Sequence, residues 1–370
     1  MPADRGPEWH NSGNHSPQMS IHRSSGLVLL VCAAAAAAVA GAAPAESDDL
    51  VRILIGRAAF GERHWQRLEG GGAVAALSTS GDPAQVSLVG AVRVDVEPET
   101  FVERFRRIET IERGKTVRQI GRFSQVPCVE DLAALTLDPR DVDSLRKCRP
   151  GDCGLQLPAE AIERLRAVTE APGNGDATAR LEDEYRRFLI ELVSDYRRQG
   201  LASLDGYHDK DEPLSVGDAF NRLLGRPGTP MQHLPELSRT LRAYPRPAPA
   251  GADEFFYWST LDFGLKPTLR INHVVIHPVR DRENGLRYAI ASKQIYASHY
   301  FDAALELRMV VADPARAGHT ILVYSSEARS RSLTGVIGGF LRGQVKSRAR
   351  AALEHYLHTT KAAVEGRRGN

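Results

Sequence analysis

Aromatic residues are scarce in this sequence, at 6% of 370 residues, so any place where they gather is informative. Strong charge of one sign is missing too. The net charge of +2 argues against a general nucleic-acid binder, which carries a marked basic excess. After residue 45 no apolar run reaches the roughly 20 residues that a membrane span needs. No G-x-S-x-G, Walker loop, Rossmann fingerprint or H-E-x-x-H occurs. Those absences weaken hydrolase, nucleotide-binding and zinc-protease readings. The apolar and charged fractions, 42% and 25%, are those of a chain with a folded core.

One apolar run is present. GLVLLVCAAAAAAVAGAAPA occupies 26–45, preceded by His22 and Arg23. Ala43-Pro44-Ala45 has the small-x-small pattern of a signal-peptidase site. Residues 1–45 therefore read as a signal peptide, with the true start expected at Met19, and the mature chain is expected in the periplasm or outside the cell. A retained membrane anchor is the competing reading of the same run. Charge gathers at the other end: eight Lys and Arg against two Glu follow Ser330. Such a tail suits either a solvated helix face or an anionic membrane surface.

Three of the four cysteines lie beyond the signal: Cys128, Cys148 and Cys153. Cys148 and Cys153 flank Arg-Pro-Gly-Asp, and Pro-Gly turns the chain back on itself. In an oxidising compartment a disulfide between them is expected. A zinc site is the alternative, but the spacing is wide and no histidine is close.

Residues 46–85 read as a connecting segment, with GGGAVAALSTSG as a turn-rich part. Alternation over 86–96 (VSLVGAVRVDV) predicts a strand. Pro98 then opens a helix whose apolar face is Phe101, Val102, Phe105 and Ile108. VRQIGRF, 117–123, predicts a second strand. A helical region follows over 128–253, with helices at 138–147, 158–168, 177–199, 215–224 and 234–243 and a Pro-rich connector at its end. Strands return at 268–277, 286–296, 299–311 and 320–327. Last comes a long amphipathic helix over 333–363.

The opening VSLVGAVRVDVEPETFVERFRRIETIE and the closing LVYSSEARSRSLTGVIGGFLRGQVKSRARAALEHYLHTTKAAV resemble the first strand-helix unit and the last strand and helix of the START-like superfamily of polyketide cyclases and lipid-transfer proteins. The resemblance covers about half of the mature chain, and its patterns are of low specificity. It implies an α+β fold in which an antiparallel sheet curls around a long C-terminal helix, the helix-grip arrangement, enclosing an apolar cavity. The START-like body would comprise 86–127 and 254–364, and the block at 128–253 would be a helical insertion. KCRPGDCGLQL, FYWSTLDFGLKP and ASKQIYASHYFDAALEL are also similar to segments of an uncharacterised exported bacterial protein family, which carries no activity over.

The segment 292–302 is dense in Lys293, Tyr296, His299, Tyr300 and Asp302. In an uninterrupted strand Tyr296, Tyr300 and Asp302 share one face, and Lys293 and His299 the other. Such a set could orient a ligand or do acid–base work, or it could be an ordinary sheet face. His273 and His277, roughly 13 Å apart on a strand, cannot share a metal, and no metal site is expected. Trp258, within the aromatic group at 255–263, could line a cavity or pack the core. Gly335, Gly339 and Gly343 recur every four residues on the last helix, leaving room for a close approach or for a ligand.

The reading that gathers these observations is an exported protein binding an apolar or amphipathic small molecule, lipid among the candidates, in a helix-grip cavity without a cofactor. One alternative is an enzyme using Tyr296, His299 or Asp302 in the same cavity. Another is an envelope interaction protein docking through its basic C-terminal helix.

Overall fold

The order of strands in space differs from their order in the chain in one informative way. In the computed structural model, eight antiparallel strands form one open sheet, in the order β1-β2-β8-β7-β6-β5-β4-β3. The structure describes residues 46–367 except 57–58, 79–80, 115, 172–175, 205, 263 and 280–284; for 46–48 and 335–347 it describes the backbone alone. The signal-peptide reading of 1–45 lies outside the described residues.

In chain order the elements are α1 (Glu46–Ile55), α2 (Glu62–Glu69), β1 (Val74–Ser78), β2 (Gln85–Val94), α3 (Pro98–Phe105), α4 (Ile108–Ile111) and β3 (Val117–Arg122). Next come α5 (Pro139–Lys147), α6 (Ala159–Glu170), α7 (Ala177–Gln199), α8 (Val216–Gly225) and α9 (Pro235–Ala243). The chain closes with β4 (Asp253–Leu261), β5 (Thr268–Pro278), β6 (Leu286–Ala297), β7 (Ala303–Ala312), β8 (Thr320–Arg329) and α10 (Gly335–Val364). The fold is α+β, with one antiparallel sheet and a long C-terminal helix. Among the described residues no helix is long and apolar enough to cross a membrane.

Both faces of the sheet are covered. On one face Val92, Val274, Ile276, Ile290, Val310 and Leu322 pack with Phe101 and Phe105 of α3 and Leu353 and Leu357 of α10. On the other, Val275, Ala289, Ala291, Leu305 and Met309 pack with α1, α8 and α9. Further along the same face, Phe256, Trp258, Ile271 and Tyr296 pack with α5, α6 and α7. Strands buried on two sides read as continuous apolar runs rather than alternations, and β5 is buried along nearly its whole length.

The five helices of 128–253 stand between β3 and β4, which pair with each other. The insertion thus leaves the sheet and returns to its neighbouring strand. Asp138, Asp176 and Ser215 cap α5, α7 and α8 with their side chains, each satisfying a backbone N–H that a helix leaves unpaired. Gly200, at φ +64, ends α7 in a conformation that favours glycine.

The segment 46–85, expected to be a connecting one, contains two helices and an edge strand. Val51, Leu54, Ile55 and Phe60 lie in the core, so the segment is part of the packing. Also unexpected is β4: FFYWST was singled out for its aromatic rings alone, yet it is a strand whose Phe255 and Tyr257 point to one face and Phe256 and Trp258 to the other.

Candidate functional site

Arg308 of β7 is fully buried, although a charge in a core is costly unless paired. Its Nη2 donates to Glu112 Oε1 and Glu306 Oε2, both at 2.9 Å, and Nη1 donates to Ser292 Oγ at 3.0 Å. Tyr356 of α10 accepts from Arg308 Nε at 3.0 Å and donates to Glu112 at 2.9 Å. Arg270 of β5 reaches Glu306 at 3.2 Å. Burial pushes both carboxyls up. At Glu306, Arg308 and Arg270 together reverse that push and hold the group below its ordinary range. At Glu112 burial prevails over Arg308 and the group stays raised. The network ties α10 and the end of α4 to the middle of the sheet.

Beside it, on the same face, lies a polar patch. Ser259 pairs with Arg270 across β4 and β5, and Asn272 pairs with Gln294 across β5 and β6. All four are buried. Among the described residues, Ser259 Oγ, Arg270 Nε, Asn272 Nδ2 and Gln294 Oε1 have no hydrogen-bond partner. Buried polar atoms are normally paired, so four unpaired ones side by side mark the patch as unusual.

The residues expected to share one face over 292–302 do not. A bulge at the β5–β6 pairing places Tyr296 opposite Ile271 while Gln294 stays opposite Asn272. Tyr296 turns away from α10 and meets the insertion: its hydroxyl lies 2.9 Å from that of Tyr185, and its ring packs on Phe188. The strand then ends at Ala297. Phe301 N–H bonds the His299 carbonyl at 2.7 Å across Tyr300, which sits at φ +63. This is the rarer, strained form of γ-turn. It aims His299 Nε2 at Asp141 Oδ1 of α5, 2.9 Å away. Lys266 Nζ joins the same carboxylate at 2.6 Å and Ser144 Oγ at 3.2 Å, and the Tyr300 hydroxyl accepts from Lys266 N–H. Asp302 accepts from the Arg331 backbone and pairs with its guanidinium. Burial raises the Asp302 carboxyl to about 6 against the pull of Arg331.

Lys293 is also on the insertion side, with no exposed surface. Its Nζ lies 5.0 Å from the Tyr196 ring and 4.4 Å from the Phe220 ring and, among the described residues, makes no hydrogen bond. Burial pulls this amine down to about 7. Trp258 packs between sheet and insertion, donating its indole N–H to the Asp131 carbonyl. His273 meets Tyr196 and Glu254, and His277 meets Glu236, so the three histidines of this region have separate partners. Gly335 and Gly339 begin α10, and what surrounds them lies outside the described residues. Among the described residues no group of three His, Cys, Asp or Glu is placed to hold a metal.

Cys148 and Cys153 form the expected disulfide, and Cys128 is free.

Sequence reasoning missed Arg308, Glu112, Tyr356, Asn272 and Gln294. The available signal was ELR inside the apolar strand AALELRMVVA: two charges of opposite sign on alternate residues share one face of a buried strand. Compared with known proteins, the chain matches no family model and no curated protein.

Proposed function

We propose that the mature chain is an exported protein that binds a small amphipathic molecule on the α10 side of its sheet. The observation that carries this is the patch of Ser259, Arg270, Asn272 and Gln294. Its unpaired donors and acceptor, set among Val274, Tyr257 and other apolar neighbours of that face, have the make-up of a small-molecule site: a few polar groups at a mostly apolar wall. The strand order supports a helix-grip arrangement. Without the added edge strand β1, the first body strand is followed in space by the last, then by the others in descending order. Two helices follow that first strand and a long helix ends the chain. The disulfide supports an oxidising compartment, as does the cleavage-like sequence ending at Ala45.

Native mass spectrometry of residues 46–370, purified from an exporting host, tests the reading together with titration of a fluorescent fatty acid. An amphipathic adduct or saturable binding is expected. It should be lost in Asn272→Leu/Gln294→Leu with the fold retained, because that pair removes unpaired polar atoms rather than packing. Absence of both adduct and binding, or binding undisturbed in the double variant, overturns it.

Acid–base catalysis is the second reading. Its support is the His299–Asp141 contact with Lys266 and Ser144 beside it, a constellation set at the seam between sheet and insertion and not in the α10-side patch. Docking through the basic tail has least support. Lys361 and Arg367 are already paired with Glu365 and Asp95, and Arg350 with Glu354.

A further inference from the structure

A pocket of about 110 Å³ lies within the helical insertion, where α6, α7 and α8 meet β6. Its floor is apolar, with Phe188 and Leu192 of α7, Leu204, Val216 of α8 and Ile295 of β6. All of these but the half-buried Leu192 are buried. Its mouth is charged. Phe188, Glu191, Leu192 and Asp195 keep the i, i+3, i+4, i+7 spacing that places residues on one face of a helix. One face of α7 therefore gives the cavity both an apolar pair and a pair of half-exposed carboxylates. Glu160, exposed in the first turn of α6, adds a third carboxylate. Among the described residues of the lining, Arg164 is the one cation.

That cation is already engaged. Arg164 Nε donates to Glu184 Oε1 at 2.6 Å, and Nη1 donates to Glu191 Oε2. An entering anion would have to displace a carboxylate from it. The carboxylates of the mouth are less fully used. Arg164 occupies Oε2 of Glu191, and Arg198 occupies Oδ1 of Asp195. Glu160 has no ion-pair partner among the described residues. The paired neighbours Glu184, Arg187 and Arg198 do not reverse the balance, because with them carboxylates still outnumber guanidiniums by one. Glu191 and Asp195 also stand four apart on α7, a spacing at which like charges destabilise a helix. A cation held between them would relieve that repulsion.

We propose that this pocket binds a small alkylammonium ion, with its chain on the apolar floor and its charge among Glu160, Glu191 and Asp195. An ammonium group carries three donors and no acceptor, which suits a mouth of carboxylate oxygens. A cavity of about 150 Å³ takes benzene, so this smaller one suits a chain of about four carbons. The site shares no residue with the Asn272–Gln294 patch on the other face of the sheet, and binding here does not depend on that patch.

Methyl NMR of residues 46–370, titrated at low salt with butylammonium, butanol and butyrate, tests this. Butylammonium should shift the methyl signals of Leu192, Leu204, Val216 and Ile295 saturably, with a Kd on the order of 1 mM for so small a ligand. Butyrate, of the same length and opposite charge, should bind at least about tenfold more weakly. Glu160→Gln removes an exposed, unpaired charge and leaves the packing alone. It should weaken butylammonium about threefold and leave butanol unchanged. Leu192→Trp, which fills the cavity, should abolish the shifts of the other three methyl groups with either ligand. The proposal is overturned if butyrate or butanol binds as tightly as butylammonium, if the shifts fall outside the pocket, or if Glu160→Gln binds butylammonium like the wild type.

Discussion

Lys293 stands directly across the β5–β6 ladder from His273, and of these two fully buried bases only the histidine has hydrogen-bond partners among the described residues. Burial lowers both. The histidine is neutral at little cost at neutral pH, whereas the lysine must give up a proton that it holds in the unfolded chain.

Lys293→Met should therefore stabilise the protein. The folded amine sits at about 7 and the unfolded one at about 10.4. Between those values the unfolded chain binds more protons, so wild-type stability rises with pH across that window. Below about 7 both states are protonated and the penalty is constant. At pH 7 the variant should gain about 3–5 kcal/mol, and the gain should vanish toward pH 10. Urea unfolding of both proteins at pH 7, 8.5 and 10 checks this; a difference that does not change with pH contradicts it.

Arg308→Met should be among the most damaging single substitutions in the sheet. It leaves Glu306 and Glu112 buried without the guanidinium that joins them. Removing one partner of a buried ionic network typically costs about 3–5 kcal/mol. Tyr356→Phe, which removes only the hydroxyl bridging Arg308 and Glu112, should cost about 1–2 kcal/mol. Equal losses in denaturant titrations would show that the charges are not what matters.

Gly90→Val tests how α10 is seated. A Cβ at Gly90 would stand 2.7 Å from Leu357 Cδ1, 2.8 Å from the Val74 carbonyl oxygen and 3.2 Å from Leu353 Cδ2. The helix rests on the bare backbone of β2, and overpacking there should cost about 1–3 kcal/mol. Truncation before Leu333, which removes Leu353, Tyr356 and Leu357 together, should abolish the cooperative thermal transition. A retained transition would mean that the sheet folds without its last helix.

Cys148→Ser/Cys153→Ser should fold but lose about 2 kcal/mol, the value for closing so short a loop in the unfolded chain. The Cys148 bridge holds the end of α5, the helix that carries Asp141. Denaturant melts with and without reductant should show the same loss in the wild type and none in the variant.

Helices with clear ends were legible in the sequence. Asp176 before α7 and Gly200 after it frame a run whose buried residues keep helical spacing, and the expected 177–199 is the observed helix. Strands buried on both faces were harder. β4 lacks alternation because Phe256 and Trp258 need the insertion as much as Phe255 and Tyr257 need the opposite core. The shared face expected for Tyr296, Tyr300 and Asp302 was broken by one bulge and one turn. Neither leaves a glycine or proline in the sequence to announce it. The Arg308 network was out of reach for another reason: Glu112 and Tyr356 meet Arg308 only after the chain has closed a loop of 196 residues on one side and 48 on the other.

The position of β2 between β1 and β8 governs the order in which this protein can be finished. As the chain emerges from its start, β2 can pair with β1 at once, but its other edge stays open until the insertion and six further strands have arrived. An unpaired strand edge invites pairing with other chains, and long-range closure is slow. The polypeptide therefore spends most of its emergence with a sticky seam unfilled. β8 is its fastener, and fragments that lack it, from interrupted synthesis or C-terminal proteolysis, are expected to aggregate rather than to work as a smaller protein.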